Sequence, residues 1–225
     1  MANPMQMYQY IHDAILREAA HIEEIAKDLN RKDNEAVRII DESVSWFRTV
    51  TKAHELAEEK ILFPALENKH KHLTSSYEFD HDHFGKNYFD ELKSGLNDLT
   101  ASRDDGEGIH QAKRVHRQSI GLNESMRLHV LKENELLLPI ASNEFDTPEL
   151  IEIAGAMAAS FDPPLMAKTV GWMFQGQNIQ DREGMIRFLM NALPEEAFGN
   201  TAKMLSQLSS PAEWRELGNN IPGLI

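Results

Sequence analysis

Two stretches of this chain repeat one arrangement of residues suited to holding a metal ion. His54 opens the run His-Glu-Leu-Ala-Glu-Glu-Lys-Ile-Leu-Phe-Pro, which ends at Pro64; His129 opens His-Val-Leu-Lys-Glu-Asn-Glu-Leu-Leu-Leu-Pro, which ends at Pro139. Both place a glutamate four residues after the histidine (Glu58, Glu133) and a proline ten residues after it. On an α-helix, residues four apart share a face about one turn apart, so each run aims one imidazole and one carboxylate at the same point. Two such pairs converging describe a site for two metal ions bridged by carboxylates. Imidazole nitrogen with carboxylate oxygen suits iron or manganese. The chain has no cysteine, which excludes disulfides, thiolate zinc sites and iron–sulfur clusters.

The elements that must carry these residues read as four amphipathic helices. Apolar residues recur at steps of three and four over Tyr8 to Leu29, with His12 in the stripe beside Ile15, Ala19, Ile22 and Ala26. The second helix carries Ile40, Val44, Phe47, Thr51, His54, Glu58, Ile61 and Ala65. A third, from Glu78 to Leu99, carries His81, Phe84, Tyr88, Leu92 and Leu99. The fourth, from Ile109 to Ile140, carries Val115, Ser119, Leu122, Met126, His129, Glu133, Leu136 and Ile140. An isolated charge in such an apolar seam is costly, which argues that His12, His54, Glu58, His81, His129 and Glu133 are ligands and not surface groups. His83 is an alternative to His81, but it is turned about 160° from the stripe. His21 lies nine residues after His12 on the opposite face, His70 and His72 fall in a loop beside lysines, and His110 and His116 lie off the stripe of His129. The segments Leu66 to Ser76 and Ser102 to Gly108 read as connections. Short connections between long helices imply antiparallel neighbours, hence an all-α, up-down-up-down four-helix bundle over residues 1–145.

Residues 146–225 differ in character. They hold no histidine, and prolines at 148, 163, 164, 194, 211 and 222 divide them into short helices, expected at Leu150–Phe161, Leu165–Phe174, Asp181–Leu193 and Glu195–Leu208. Pieces this short do not bury their apolar faces alone. They are expected to pack together as a small C-terminal helical region, on the bundle or on a second copy of the chain. The formal net charge of −13 argues against nucleic acid and anionic membrane surfaces as partners. No apolar run reaches the roughly 18 residues of a membrane-spanning helix, and Met-Ala-Asn-Pro-Met-Gln-Met-Tyr lacks the features of a secretory signal. The expected location is cytoplasmic.

A histidine in the first helix, His-x-x-x-Glu in the second, a histidine in the third and His-x-x-x-Glu in the fourth resemble the hemerythrin-like family of His-His-Glu cation-binding proteins, over about residues 8 to 140. The resemblance implies a non-haem centre of two iron ions, with manganese as the alternative, joined by an oxo, hydroxo or water bridge. By resemblance, His12 and His54 bind one ion and His81 and His129 the other, while Glu58 and Glu133 bridge them. The chain departs from the oxygen carriers of that family. Where they have a second histidine four residues into the third helix, this chain has Gly85, and where they have an aspartate five residues after the fourth helix's histidine, it has Asn134. A site poorer in histidine and richer in carboxylate looks more like the iron-sensing and nitric-oxide-responsive branches, in which Glu55 would add a terminal oxygen ligand. The stretches around Val170-Gly-Trp-Met-Phe and Met185-Ile-Arg-Phe-Leu-Met resemble segments that follow such bundles in some bacterial proteins and in plant iron regulators. The expected function is therefore a module that binds, senses or handles iron, with oxygen, peroxide or nitric oxide as its small ligand. The second reading is a di-iron oxidase, oxygenase or peroxide-consuming enzyme acting on a small substrate.

Overall fold

The computed structural model of the chain describes residues 5–30 and 33–224. The first four residues of the stretch Met-Ala-Asn-Pro-Met-Gln-Met-Tyr, which lacks the features of a secretory signal, lie outside that range. Among the described residues every regular element is helical. Helix α1 is Gln6–Lys27, α2 covers residues 34–67, α3 residues 75–101 and α4 residues 105–144. Five shorter helices follow: α5 (Thr147–Ala159), α6 (Pro163–Gln175), α7 (Ile179–Ala192), α8 (Glu195–Gln207) and α9 (Pro211–Asn220). No helix among them is long and apolar enough to cross a membrane.

The chain divides into two compact units. One is Ile15–Ser160; the other joins Met1–Ala14 to Phe161–Ile225. Helix α5 packs against the Glu58–Leu62 segment of α2 and falls in the first of these units. Within the first unit α2, α3 and α4 run antiparallel to their chain neighbours, and the rest of α1 completes the up-down-up-down bundle. Its core is the stripe Ile15, Ala19, Ile22 and Ala26 of α1 with Ile40, Val44 and Phe47 of α2, Leu92, Leu96 and Leu99 of α3, and Val115, Leu122 and Met126 of α4, all buried. In the other unit, α7 packs on α8 and α9, and α8 on α6. Phe174, Met185, Ile186, Leu205 and Leu217 are completely buried there. A side chain at Gly184 would sit 2.5 Å from the Tyr10 hydroxyl, so a larger residue there would displace the Tyr10 side chain.

Three of the long helices are not α-helical throughout. Each is widened by a π turn: Glu58–Leu62 in α2, Phe84–Phe89 in α3 and Glu133–Leu137 in α4. The amide of Phe63 bonds to the carbonyl of Glu58, that of Leu138 to Glu133, and that of Asp90 to Gly85, each five residues back. The repeated prolines account for two of these turns. Pro64 and Pro139 have no N–H to give, and in an α-helix their rings would collide with the carbonyl four residues earlier. Widening the preceding turn moves that carbonyl aside and lets the helix continue.

Each π turn inserts one residue, so the buried stripe slips by one position. In α2 the core beyond Glu58 is Leu62, Phe63 and Leu66, not the expected Ile61 and Ala65. In α3, Phe89 is buried in place of Tyr88. In α4, Leu137, Leu138 and Ala141 are buried, while Leu136, assigned to the seam from its spacing, is 56 % exposed.

Helix starts also differ from expectation where a cap outranks composition. The glycine-rich segment after Ser102 is the first turn of α4, because the Asp104 carboxylate accepts from the amide of Glu107. Helix α3 begins at Ser75, three residues before Glu78. The C-terminal prolines start helices instead of merely interrupting them. Asp146 before Thr147-Pro148, Asp162 before Pro163-Pro164 and Ser210 before Pro211 are N-caps, the first and third completing capping boxes with Glu149 and Glu213. The last of these opens α9, which the periodicity had not revealed.

Candidate metal centre

The donor atoms of His12, His54, Glu58 and Glu133 lie within 4.8 Å of one another, and so do those of His81, His129 and Glu133. Glu133 belongs to both groups. The first histidine stands three residues before Ile15 on the continuous helix α1, so helical geometry alone sets it on the stripe that ends in the bundle core. Glu58 also reaches both halves: its Oε1 is 3.4 Å from Nε2 of His54 and its Oε2 is 3.4 Å from Nε2 of His81. His129 places Nε2 3.2 Å from Oε1 of Glu133 and 3.3 Å from Nε2 of His81. His12, Glu58 and Glu133 are completely buried, and His54, His81 and His129 nearly so. Each glutamate is the first residue of a π turn, so the α-helical spacing from His54 to Glu58 and from His129 to Glu133 is intact.

Aromatic rings wall the cluster. Phe63 stacks on His81 at 5.5 Å between centroids, and Phe84 and Tyr77 meet His129 edge-on at 5.1 Å and 6.2 Å. Tyr8 meets His12 edge-on at 4.9 Å. The π turn of α2 brings Phe63 into this wall, since an unbroken α-helix would rotate it about 100° away. Burial, with Glu133 and Asp80 nearby, pushes the Tyr77 phenol up to about 12. It therefore stays neutral near neutral pH.

The electrostatics show what the cluster demands. Burial and the proximity of His129 hold His81 down at about 4, against the pull of Glu133 and Glu59. Burial also opposes a charge on His129, but Glu133 and Asp80 together outweigh it and hold that ring at about 9. Two carboxylates at one buried point repel each other and lose their hydration. A cation placed between them and the imidazoles relieves both costs, and six nitrogen and oxygen donors with no sulfur form the set that a hard or borderline divalent metal takes. The residues therefore fit a bound metal cation.

The remaining sequence candidates fall elsewhere. His83 is in neither donor group; it stacks on Phe79 and lies against Tyr88, with its Nδ1 on the Asn87 amide. Glu55 is buried next to the site but is also in neither group. It pairs with Lys52 at 3.1 Å, and burial, countered by Lys52, raises its carboxyl to about 7. His21, His70, His72 and His110 are exposed.

Two carboxylates that seam periodicity did not pick out complete the arrangement. Glu59 Oε1 lies 3.0 Å from Nδ1 of His81, and Asp80 Oδ2 lies 3.1 Å from Nδ1 of His129. Each serves a histidine on the next helix, so no spacing within one helix reveals the pairing. The available signal was position: each sits directly beside a seam ligand, at the edge of the buried face.

The chain spans only a small part of the curated relatives it matches. It is 22 % identical to "Zinc finger protein BRUTUS" of Arabidopsis thaliana over 194 residues, which is 86 % of this chain and 15 % of that protein. A second protein of the same plant, "Zinc finger protein BRUTUS-like", is 22 % identical over 170 residues, 76 % of this chain and 13 % of its own length. No solved structure gives a significant match. The family description "Hemerythrin HHE cation binding domain" matches residues 4–141, the four helices that converge on the cluster. The chain belongs to the hemerythrin HHE cation-binding domain family.

Proposed function

We propose that this chain is a non-haem di-iron module that binds, senses or handles iron together with a small ligand: oxygen, peroxide or nitric oxide. The observation that carries the reading is the sharing of carboxylates. Glu133 belongs to both donor groups and Glu58 faces a histidine of each, which is the arrangement that two ions bridged by two glutamates require. On this reading His12 and His54 hold one ion, and His81 and His129 the other. Ferrous iron held by these residues would supply electrons to a small ligand and bind it. Iron is favoured over manganese by the family alone; the donor set admits both. A Cβ at Gly85, one turn along α3 from His81, would meet no atom within 4 Å, so there is open space beside the helix at that point. The cysteine-free segment cannot be a thiolate zinc finger, whatever that part of the relatives' names describes. Metal analysis of anaerobically purified protein, with optical spectra before and after oxygen, peroxide and nitric oxide, tests the reading. Two irons per chain and a spectral change with one of these ligands support it; one metal per chain, or zinc after iron-replete expression, refutes it.

A further inference from the structure

We propose that Asp80 and Glu59 are positioning residues that aim His129 and His81 at a single metal ion, and that Lys132 locks Asp80 in place; the inference rests on the reading of the cluster as a metal centre. A neutral imidazole carries its proton on one nitrogen and its lone pair on the other, and only the lone-pair nitrogen binds metal. In this cluster the Nε2 atoms of His81 and His129 both face inward, 3.3 Å apart and toward Glu58 and Glu133. Both Nδ1 atoms face outward onto carboxylates, Glu59 at 3.0 Å and Asp80 at 3.1 Å. An ionised carboxylate only accepts, so each Nδ1 is the donor, which leaves the inward nitrogen free for a cation once the inner proton is displaced. The supporting groups come from the neighbouring helix in both cases: Glu59 of α2 serves His81 of α3, and Asp80 of α3 serves His129 of α4.

Asp80 is the more firmly held of the two. The Lys132 ammonium binds the same Oδ2 that meets His129, lies 4.3 Å from the centre of the Tyr77 ring, and reaches the Ser76 carbonyl at 3.3 Å. One turn of α4 therefore supplies a ligand (His129), the clamp on that ligand's carboxylate (Lys132) and the shared glutamate (Glu133). Asp80 is only partly exposed and its grip crosses between helices, so rotating the His129 ring out of line breaks its contacts with Asp80 and with Glu133 at once.

The test uses the full chain and two readouts. Anaerobic titration with ferrous iron measures the affinity of each ion, and proton NMR of the zinc-loaded protein follows the hydrogen-bonded Nδ1–H of His129. Asp80→Ala is expected to weaken one ion by about 10- to 100-fold, to leave the other unchanged, and to lose the protected Nδ1–H signal. Lys132→Met is expected to weaken the same ion by less, because Asp80 still meets the ring. A folded Asp80→Ala protein that binds both ions as tightly as wild type, with the signal intact, overturns the proposal. If that variant does not fold, Asp80→Asn, which keeps the shape and removes the charge, carries the test: weaker binding of one ion supports the proposal and wild-type binding overturns it. Failure of the wild-type protein to take a second ion would instead sink the underlying metal-centre reading, and the two failures are told apart in the first titration.

Discussion

Leu136 and Leu137 are neighbours of the same type with opposite fates, and exchanging each for alanine measures the π turn directly. Leu137 is completely buried and Leu136 is 56 % exposed. In an unbroken α-helix both would lie on the face of Glu133, at steps of three and four, so the exposure of Leu136 is the mark of the wider turn. Leu137→Ala removes three buried carbons, worth about 0.8 kcal/mol each in transfer alone, and leaves a cavity that raises the total to about 3–5 kcal/mol. Leu136→Ala removes solvated surface and is expected to change stability by no more than about 0.5 kcal/mol. For a chain of 225 residues, a loss of 3–5 kcal/mol lowers Tm by roughly 6–20 °C. Urea unfolding followed by circular dichroism, with metal content held equal, gives the comparison as a shift in midpoint at constant slope. A loss from Leu136→Ala as large as that from Leu137→Ala would refute the π turn and, with it, the placement of Phe63 and Leu138 by the same argument.

Three further outcomes follow from the cluster. Glu133→Ala should cost more bound metal than His81→Ala, since Glu133 stands in both donor groups and His81 in one; equal losses by metal analysis would count against a shared carboxylate. His83→Ala should retain wild-type metal while His81→Ala loses about half of it, and the reverse result would show that α3 presents its other face. Metal binding to the folded state alone should raise Tm, with about 2.7 kcal/mol gained at a free metal concentration 100 times Kd; chelated and metal-loaded protein melting together would refute a buried site.

The four helices, their order and the residues that meet at the cluster were legible because buried polar ligands must sit on the apolar stripe. His54 to Glu58 and His129 to Glu133 are each one α-helical turn, and the spacing rule holds across them. It fails immediately afterwards. Stripe counting assumes a constant 3.6 residues per turn, whereas the turns after Glu58 and Glu133 hold one residue more. Pro64 and Pro139 were visible as part of the repeat, but their effect on the backbone preceding them was not drawn from spacing. The pairing of Asp80 with His129 and of Glu59 with His81 stayed hidden because the partners sit on adjacent helices, a relation set by packing and not by position along the chain. The start of α4 was missed through its two glycines, which read as a turn until Asp104 is seen to cap the helix.

The inserted residue in each widened turn also affects how this chain compares with others. A relative whose corresponding helices are regular throughout carries one residue fewer at each of these places. Aligned without gaps, its inward residues would stand opposite Leu136, Ile61 and Tyr88, matching core positions with less buried ones. A single-residue gap inside the helix, where alignment practice penalises gaps most, restores the correspondence. Two chains of the same architecture can thus look more distant on paper than their interiors are in space, and the metal ligands, lying just ahead of the inserted residue, are the part of each helix that escapes the displacement.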